Sequence, residues 1–182
     1  MKSFFFLNLC LLLFLPVFAQ PPVFLQSLHP HLSYYGNNLW NPGLKVGLEK
    51  AISQDKTWVL NSDLGFFHDP GTQLGLFHSY GILKRRTGSK GFHAQLGISP
   101  LSVYRSFLSE TYEVSSSGAV ERVRLPGRTY LAPVLTGGIG SRWQKPPIEA
   151  WFLNLHGMIL MPYNTFILPL LNVEVGLRFK SF

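Results

Sequence analysis

The carboxyl-terminal segment LLNVEVGLRFKSF constrains the fold more than any other part of the sequence. Its apolar residues occupy every second position from Leu171 to Phe179, and Asn172, Glu174 and Arg178 are among the residues between them. Successive side chains of a β-strand point to opposite faces. The pattern therefore predicts a strand with one apolar face and one polar face.

This strand also resembles the closing strand of bacterial outer-membrane β-barrels, which ends in an aromatic residue. Phe182 lies on the polar phase of the alternation, whereas Phe179 is the aromatic residue in phase with the apolar face. A β-bulge or an overhang of the last three residues would account for the difference. The strand predicted to direct membrane insertion contains Val173, Val175, Leu177, Phe179 and Phe182.

The first 19 residues have the features of a cleaved secretory signal peptide. Lys2 supplies a positive start, residues 4–18 are mostly apolar, and Val17 and Ala19 place small residues before a cleavage point. The apolar run is short for a membrane anchor, so we expect export and removal of residues 1–19. The only cysteine, Cys10, lies in this segment. Residues 20–182 are then predicted to form a single domain without a thiol, a disulfide or a lipid anchor.

The composition favours a membrane barrel over a soluble one. Alternation alone also fits a soluble ligand carrier of the lipocalin type. A soluble surface is about 25–35% charged, whereas this chain is 14% charged and 46% hydrophobic. After the signal no run of 18 apolar residues occurs, which argues against membrane-spanning helices. The remaining spanning fold is a closed antiparallel up-and-down transmembrane β-barrel, whose backbone groups pair within the wall.

Eight alternating segments can be assigned to the wall, an even number as single-chain bacterial barrels require. With both chain ends in the periplasm, the turns at 53–56, 85–90 and 144–147 fall on the periplasmic side. The long polar segment 105–127 then falls on the outside, where we expect an external hairpin loop. The segments are residues 28–36, 43–52, 57–68, 73–84, 91–99, 129–143, 148–160 and 166–182.

Charged residues within these segments share the polar phase. If the apolar faces contact lipid, these side chains point into the lumen, where opposite charges without a water-filled channel must pair. We expect a structural ion-pair network, with a narrow pore or proton path as the alternative; an eight-stranded barrel is only wide enough for its own side chains. The predicted network consists of Lys45, Glu49, Asp63, Glu174 and Arg178.

Three segments, NPGLKVGLE, TYEV…RVRLPGRTY and LPLLNVEVGLRFK, resemble an uncharacterised family of small outer-membrane β-barrel proteins of the type found in Bacteroidota. The resemblance covers most of residues 20–182. It implies the barrel fold and location in the cell outer membrane, and it carries no activity, cofactor or catalytic residue.

Catalytic and metal-binding patterns are sparse. His29 and His31 share a strand face, as a metal site could use, but no third ligand is evident nearby. His78 and Ser79 invite comparison with outer-membrane lipid A deacylases, but adjacent strand residues face opposite ways. His93 and His156 lie on lumen-facing phases and are predicted to be hydrogen-bonded interior residues. We therefore predict no catalytic residue, no metal and no cofactor, with an outer-leaflet lipid-modifying enzyme as the alternative.

The charge balance points to lipid neighbours. Without Lys2, 15 basic residues face 9 acidic ones, a net charge of +6. An exported chain rarely meets nucleic acid, so we expect contact with acidic lipids, lipopolysaccharide and, during insertion, the barrel-assembly machinery. The long loop could also bind a protein partner, which makes a structural or interaction role the favoured function. The residues predicted to contact a partner or lipopolysaccharide are Tyr112, Arg122, Arg124 and Arg128.

Overall fold

A computed structural model describes residues 27–37, 39–70, 73–108, 111–123, 128–143, 145–163 and 166–181. Strands account for most of these residues. In the part of the chain so described, no helix is long and apolar enough to cross a membrane. The strands are β1 (Leu28–Gly36), β2 (Gly43–Ala51), β3 (Trp58–Asp69), β4 (Gln73–Thr87), β5 (Phe92–Leu108), β6 (Thr111–Val114), β7 (Val120–Val123), β8 (Arg128–Leu131), β9 (Val134–Arg142), β10 (Ile148–Tyr163) and β11 (Phe166–Phe179).

Nine of these strands form one closed antiparallel sheet. Strands β1 to β5 pair in chain order, and β10 pairs with β11. Strand β11 returns to pair with β1, so that Tyr34 lies opposite Val175. Strands β8 and β9 are successive pieces of one wall strand, because both lie between β5 and β10. The wall therefore has eight strand positions, and the predicted antiparallel up-and-down barrel is confirmed.

The two faces of the wall have opposite chemistry. In β3 the burial alternates residue by residue, with Val59, Asn61 and Asp63 buried and Leu60 and Leu64 exposed. The same alternation leaves Val175 and Leu177 of β11 exposed and Glu174 completely buried. A barrel interior narrow enough to be filled by side chains explains the burial of polar residues. The outer surface is correspondingly apolar.

The two ends of the barrel differ in their connections. We call the end with the turns 52–57, 88–91 and 145–147 the turn end. The opposite end, where β5 leads towards the β6–β7 hairpin, is the loop end. At the turn end, hydrogen bonds from Ser53 and Thr57 hold Asp55 and lower the pKa of its carboxyl group. Gly91, with φ of 81°, takes the left-handed conformation that glycine adopts without steric cost.

The lumen is filled by different side chains at its two ends. The half nearer the turn end holds the charged residues, and the half nearer the loop end holds a hydrophobic cluster that we call the aromatic plug. Phe67 and Tyr104 stack with ring centroids 5.7 Å apart, and Tyr35 lies 4.5 Å from Phe77. The plug consists of Tyr35, Phe67, Phe77, Tyr104, Tyr130, Ala132, Val134, Met158 and Leu160.

Two prolines interrupt neighbouring wall strands. Between the pairs Tyr80–Leu101 and Ile82–Ile98 the register shifts, so β5 contains an extra residue beside Pro100. The inward phase changes there, from Ser99 to Ser102, and both serines are buried. Pro133 separates β8 from β9 on the adjacent strand position. A residue without a backbone N–H is expected at such bulges.

Several expectations differ from the structure or lie outside it. Strand β4 continues to Thr87, so the prediction of a turn beginning at Arg85 was wrong, because the alternation of β4 persists for three further residues. Strand β11 ends at Phe179. The predicted signal peptide 1–19 and the terminal Phe182 lie outside the described residues, and their roles remain predictions.

Candidate functional site

Glu174 lies at the centre of the charged lumen and is completely buried. Its Oε1 accepts hydrogen bonds from Ser33 Oγ at 2.6 Å and Lys45 Nζ at 2.8 Å. Its Oε2 lies 2.8 Å from Asn154 Nδ2 and 2.7 Å from His156 Nε2. Four donors from β1, β2 and β10 therefore surround one carboxylate of β11, as a buried charge requires.

Asp63 is the second carboxylate of this cluster. Its Oδ2 is 3.4 Å from Lys45 Nζ and accepts a hydrogen bond from Asn61 Nδ2 at 2.8 Å. Ser79 Oγ donates to the same oxygen at 3.3 Å, and His31 Nε2 lies 3.0 Å from Oδ1. Lys45 is thus shared between Asp63 and Glu174, and these three charges form a continuous ion-pair cluster.

Glu49 forms a separate ion-pair cluster closer to the turn end. Both of its oxygens accept from Arg85 Nη2 at 2.9 Å, and Arg178 Nε lies 2.8 Å from Oε2. Sequence reasoning missed Arg85 because the pair Arg85-Arg86 has the composition of a turn. The signal was nonetheless present, since Arg85 continues the inward phase of Ser79, Gly81 and Leu83.

Two amides link the clusters. Arg85 Nε donates to Gln95 Oε1 at 2.8 Å, and Gln95 Nε2 donates to Asn154 Oδ1 at 2.7 Å. Asn154 in turn donates to Glu174. The five charged residues predicted from the sequence are thus brought into one hydrogen-bonded system, but only through Arg85, Gln95 and Asn154 as additional members. Three cations balance three carboxylates in it, which agrees with a filled structural interior.

One part of this system has the order of a hydrolytic triad. Thr136 Oγ1 lies 2.9 Å from His156 Nδ1, and His156 Nε2 contacts Glu174. All three side chains are buried, and the cavity beside them measures about 20 Å³. A cavity of that size holds roughly one water. The arrangement therefore has no space for an acyl substrate.

The histidines singled out in the sequence have different partners. His29 Nδ1 lies 2.6 Å from Glu149 Oε2 near the turn end, whereas His31 contacts Asp63 inside the lumen. His78 lies on the outer face with its ring 4.4 Å from that of Tyr80, and Ser79 faces inward to Asp63. Within the described ranges, no group of three or more His, Cys, Asp or Glu residues could hold a metal ion.

The hairpin of β6 and β7 is a small sheet separate from the wall. Its register sets Tyr112 opposite Arg122 and Glu113 opposite Glu121. At its tip, Val114 and Val120 are 71% and 66% exposed. Arg128, at the start of β8, is also exposed, and Arg124 lies outside the described residues.

Comparison with known proteins supports the fold and does not identify a family. No protein-family model matches the chain, and no curated protein matches its sequence. The structure of Neisserial surface protein A (NspA) is similar with a TM-score of 0.59 at 11% identity, over 84% of this chain and 95% of that one. A de novo designed transmembrane β-barrel has a TM-score of 0.49 at 14% identity, over 89% and 98%. The N-terminal β-barrel domain of OprF from Pseudomonas aeruginosa has a TM-score of 0.47 at 12% identity, over 85% and 98%. The chain therefore shares the β-barrel fold of NspA.

Proposed function

We propose that this protein is an integral outer-membrane β-barrel of structural or interaction type, which presents the β6–β7 hairpin to a partner outside the cell. The resemblance to small outer-membrane barrels of the Bacteroidota type and the expected signal peptide support the location. The observation that carries the proposal is a wall that is apolar outside and ion-paired inside.

The outer surface matches a lipid bilayer in height as well as in chemistry. Trp58 and Phe66, eight residues apart in β3, are both exposed on the outer face. At about 3.3 Å per residue and a strand tilt near 40°, they are separated by roughly 20 Å along the barrel axis. Aromatic residues at both interfaces are typical of transmembrane barrels. Lys84 Nζ lies 5.2 Å from the centroid of the Trp58 ring. A lysine ammonium beside an interfacial tryptophan could contact the phosphates of lipid head groups.

The filled lumen favours interaction over transport. A solute would have to pass both the ion-pair clusters and the aromatic plug, and side chains fill both. We expect Lys45, Glu49, Asp63, Glu174 and Arg178 to act in stability, not in conduction. The same filling leaves no lumen space for a lipid chain, which weakens the alternative of a soluble ligand carrier. It also argues against the buried Thr136 as a nucleophile for lipid substrates.

The hairpin has the features of a contact surface. It is a two-stranded sheet that pairs with no wall strand among the described residues. Val114 and Val120 leave apolar surface exposed at the tip. A partner with an apolar contact surface would cover these two valines. On the same segment, Tyr112 could contact a protein partner. Arg122, Arg124 and, at the base of the segment, Arg128 could bind lipopolysaccharide phosphates through paired hydrogen bonds.

Deletion combined with cross-linking tests the proposal. Replacing residues 113–122 by a glycine-containing turn should leave the barrel folded and its electrophoretic mobility heat-modifiable, because the wall hydrogen bonds lie elsewhere. A photo-cross-linker at Val120 in intact cells should capture a protein or lipopolysaccharide that the same group at Gln54, in the 52–57 turn, does not. Identical products from the two positions, or none from Val120, would contradict the interaction role. Recovery of native protein from the periplasm without detergent would contradict the location.

A further inference from the structure

The turn end contains a second cavity, which the ion-pair network does not fill. It has a volume of about 100 Å³, several times the roughly 10–15 Å³ that one water needs. Glu49, Arg85 and Arg178 form its inner wall, and Lys56 and Arg142 lie at its exposed rim. We propose that this cavity binds a small phosphate-type oxyanion.

The charge of the lining carries the first step of the argument. Four permanent cations, Lys56, Arg85, Arg142 and Arg178, face two carboxylates, Glu49 and Glu149, so that the difference is 4 − 2 = +2. Glu49 is held by Arg85 and Arg178, and Glu149 is held by His29. Both carboxylates therefore already have partners in the lining of the cavity. The excess positive charge in a partly desolvated cavity favours an anion.

Buried donors supply the second step. Arg178 is 95% buried and approaches Glu49 through Nε, while its Nη2 has no hydrogen-bond partner among the residues that the structure describes. His93 also lines the cavity, is 98% buried, and has an Nε2 without a partner in the same part of the chain. Leaving such groups unsatisfied costs free energy. An oxyanion could accept from the guanidinium and from the neutral His93 imidazole in the tautomer that has its proton on Nε2.

The surface around the opening would guide anions to it. Exposed cations surround the turn end, and such a field raises the local concentration of small anions. A phosphate could arrive free or as the exposed head group of a lipid. The cavity lies inside the wall, whereas lipid lies outside, which favours the free ion. The exposed cations are Lys56, Lys84, Arg86, Lys90, Arg142, Lys145 and Lys180.

Calorimetric titration of the full-length mature barrel with inorganic phosphate, in a zwitterionic detergent without phosphate, tests the assignment. Arg142→Gln should weaken phosphate binding by about tenfold, the usual effect of losing one charge-assisted hydrogen bond. Arg86→Gln is the matched control, because Arg86 is exposed at the same end with the outward phase of β4. It removes the same charge and should change the affinity by less than about twofold.

Arg178→Lys tests the inner wall, since it keeps the charge and removes the guanidinium fork. This variant should also bind phosphate more weakly. Whether its barrel still folds is measured separately, by the heat-modifiable electrophoretic mobility of the variant. If it does not fold, His93→Phe replaces it as the inner-wall variant. Competition by short-chain phosphatidic acid would assign the site to a lipid head group. No heat of phosphate binding by the wild type, or equal losses in Arg142→Gln and Arg86→Gln, would overturn the proposal.

Discussion

Lys45 Nζ lies 2.8 Å from Glu174 Oε1, although the two residues belong to β2 and β11, which are separated by β1. The pair therefore forms only when β11 closes against β1. Ser33 of β1, between them, donates to the same carboxylate oxygen. The ion pair thus spans three neighbouring strands at the place where β11 closes the barrel. Closure of the barrel is therefore coupled to the burial of Lys45 and Glu174.

The first prediction concerns this pair. Glu174→Ala should lower the free energy of unfolding by about 3–5 kcal/mol, because Lys45 and His156 lose a shared buried partner. Lys45→Met combined with Glu174→Ala should cost less than the sum of the single variants, by about 0.5–3 kcal/mol. Urea unfolding of the barrel refolded in lipid vesicles measures these values. Lys90→Gln, at an exposed turn, is the control and should leave the transition unchanged. Additive effects of Lys45 and Glu174 would contradict the shared network.

The second prediction compares two glycines. A Cβ on Gly75 would lie 2.3 Å from Phe67 Cζ inside the plug, whereas a Cβ on Gly157 would meet nothing within 4 Å on the outer face. Gly75→Ala should therefore destabilise the barrel by about 1–3 kcal/mol through overpacking. Gly157→Ala should be neutral or stabilising by up to about 1 kcal/mol, because alanine loses less backbone entropy. Equal urea midpoints for the two variants would contradict this prediction, since they would mean that the Phe67 ring moves aside without a loss of stability.

The third prediction locates the bilayer. In a variant that retains only Trp58, brominated lipids should quench the fluorescence strongly, because Trp58 lies on the apolar outer face. A variant that retains only Trp40 is the matched control. Trp40 is 85% exposed in the connection between β1 and β2 and lies beyond the wall strands, so it should be quenched less. Quenching that is equal for the two tryptophans would contradict the proposed membrane span.

The fourth prediction concerns permeability. Proteoliposomes containing the wild type should not swell in arabinose, because the ion-pair clusters and the aromatic plug block the lumen in series. Tyr104→Ala should also remain closed, since it opens only the loop half, and Arg178→Ala should remain closed because the plug is intact. A porin in the same vesicles provides the positive control. Swelling with either single variant would mean that one of the two barriers does not seal the lumen.

Much of this architecture follows from local sequence. Alternation identifies the wall strands and the inward phase of Lys45, Asp63 and Glu174, because a strand turns every second side chain to the same face. Which of these side chains meet depends on the stagger between strands, which no single strand encodes. The division of the lumen into an ionic half and an aromatic half is such a property: Phe67 and Tyr104 lie 37 positions apart and stack only in the assembled register.

Misassignments arose where composition contradicted the alternation. The basic run at Arg85 has the composition of a turn, yet its register with Gln95 continues the β4–β5 ladder. Sequence reasoning likewise placed His29 and His31 on one face, and could not show that one contacts Glu149 and the other Asp63. These outcomes depend on partners from distant strands.

The two interruptions at Pro100 and Pro133 have a structural consequence for the wall. They lie in adjacent strand positions, just beyond the pair Ser99–Val134, and neither proline has an amide hydrogen to share with its neighbour. Ala132 N donates to Ser102 O beside them at 2.8 Å, which keeps the two strands joined at one point. The wall thus has a local interruption in its hydrogen-bond ladder, at the depth where the ionic half of the lumen gives way to the aromatic half. Because the inward phase of β5 also changes there, each half of the lumen receives its own set of inward side chains from this strand.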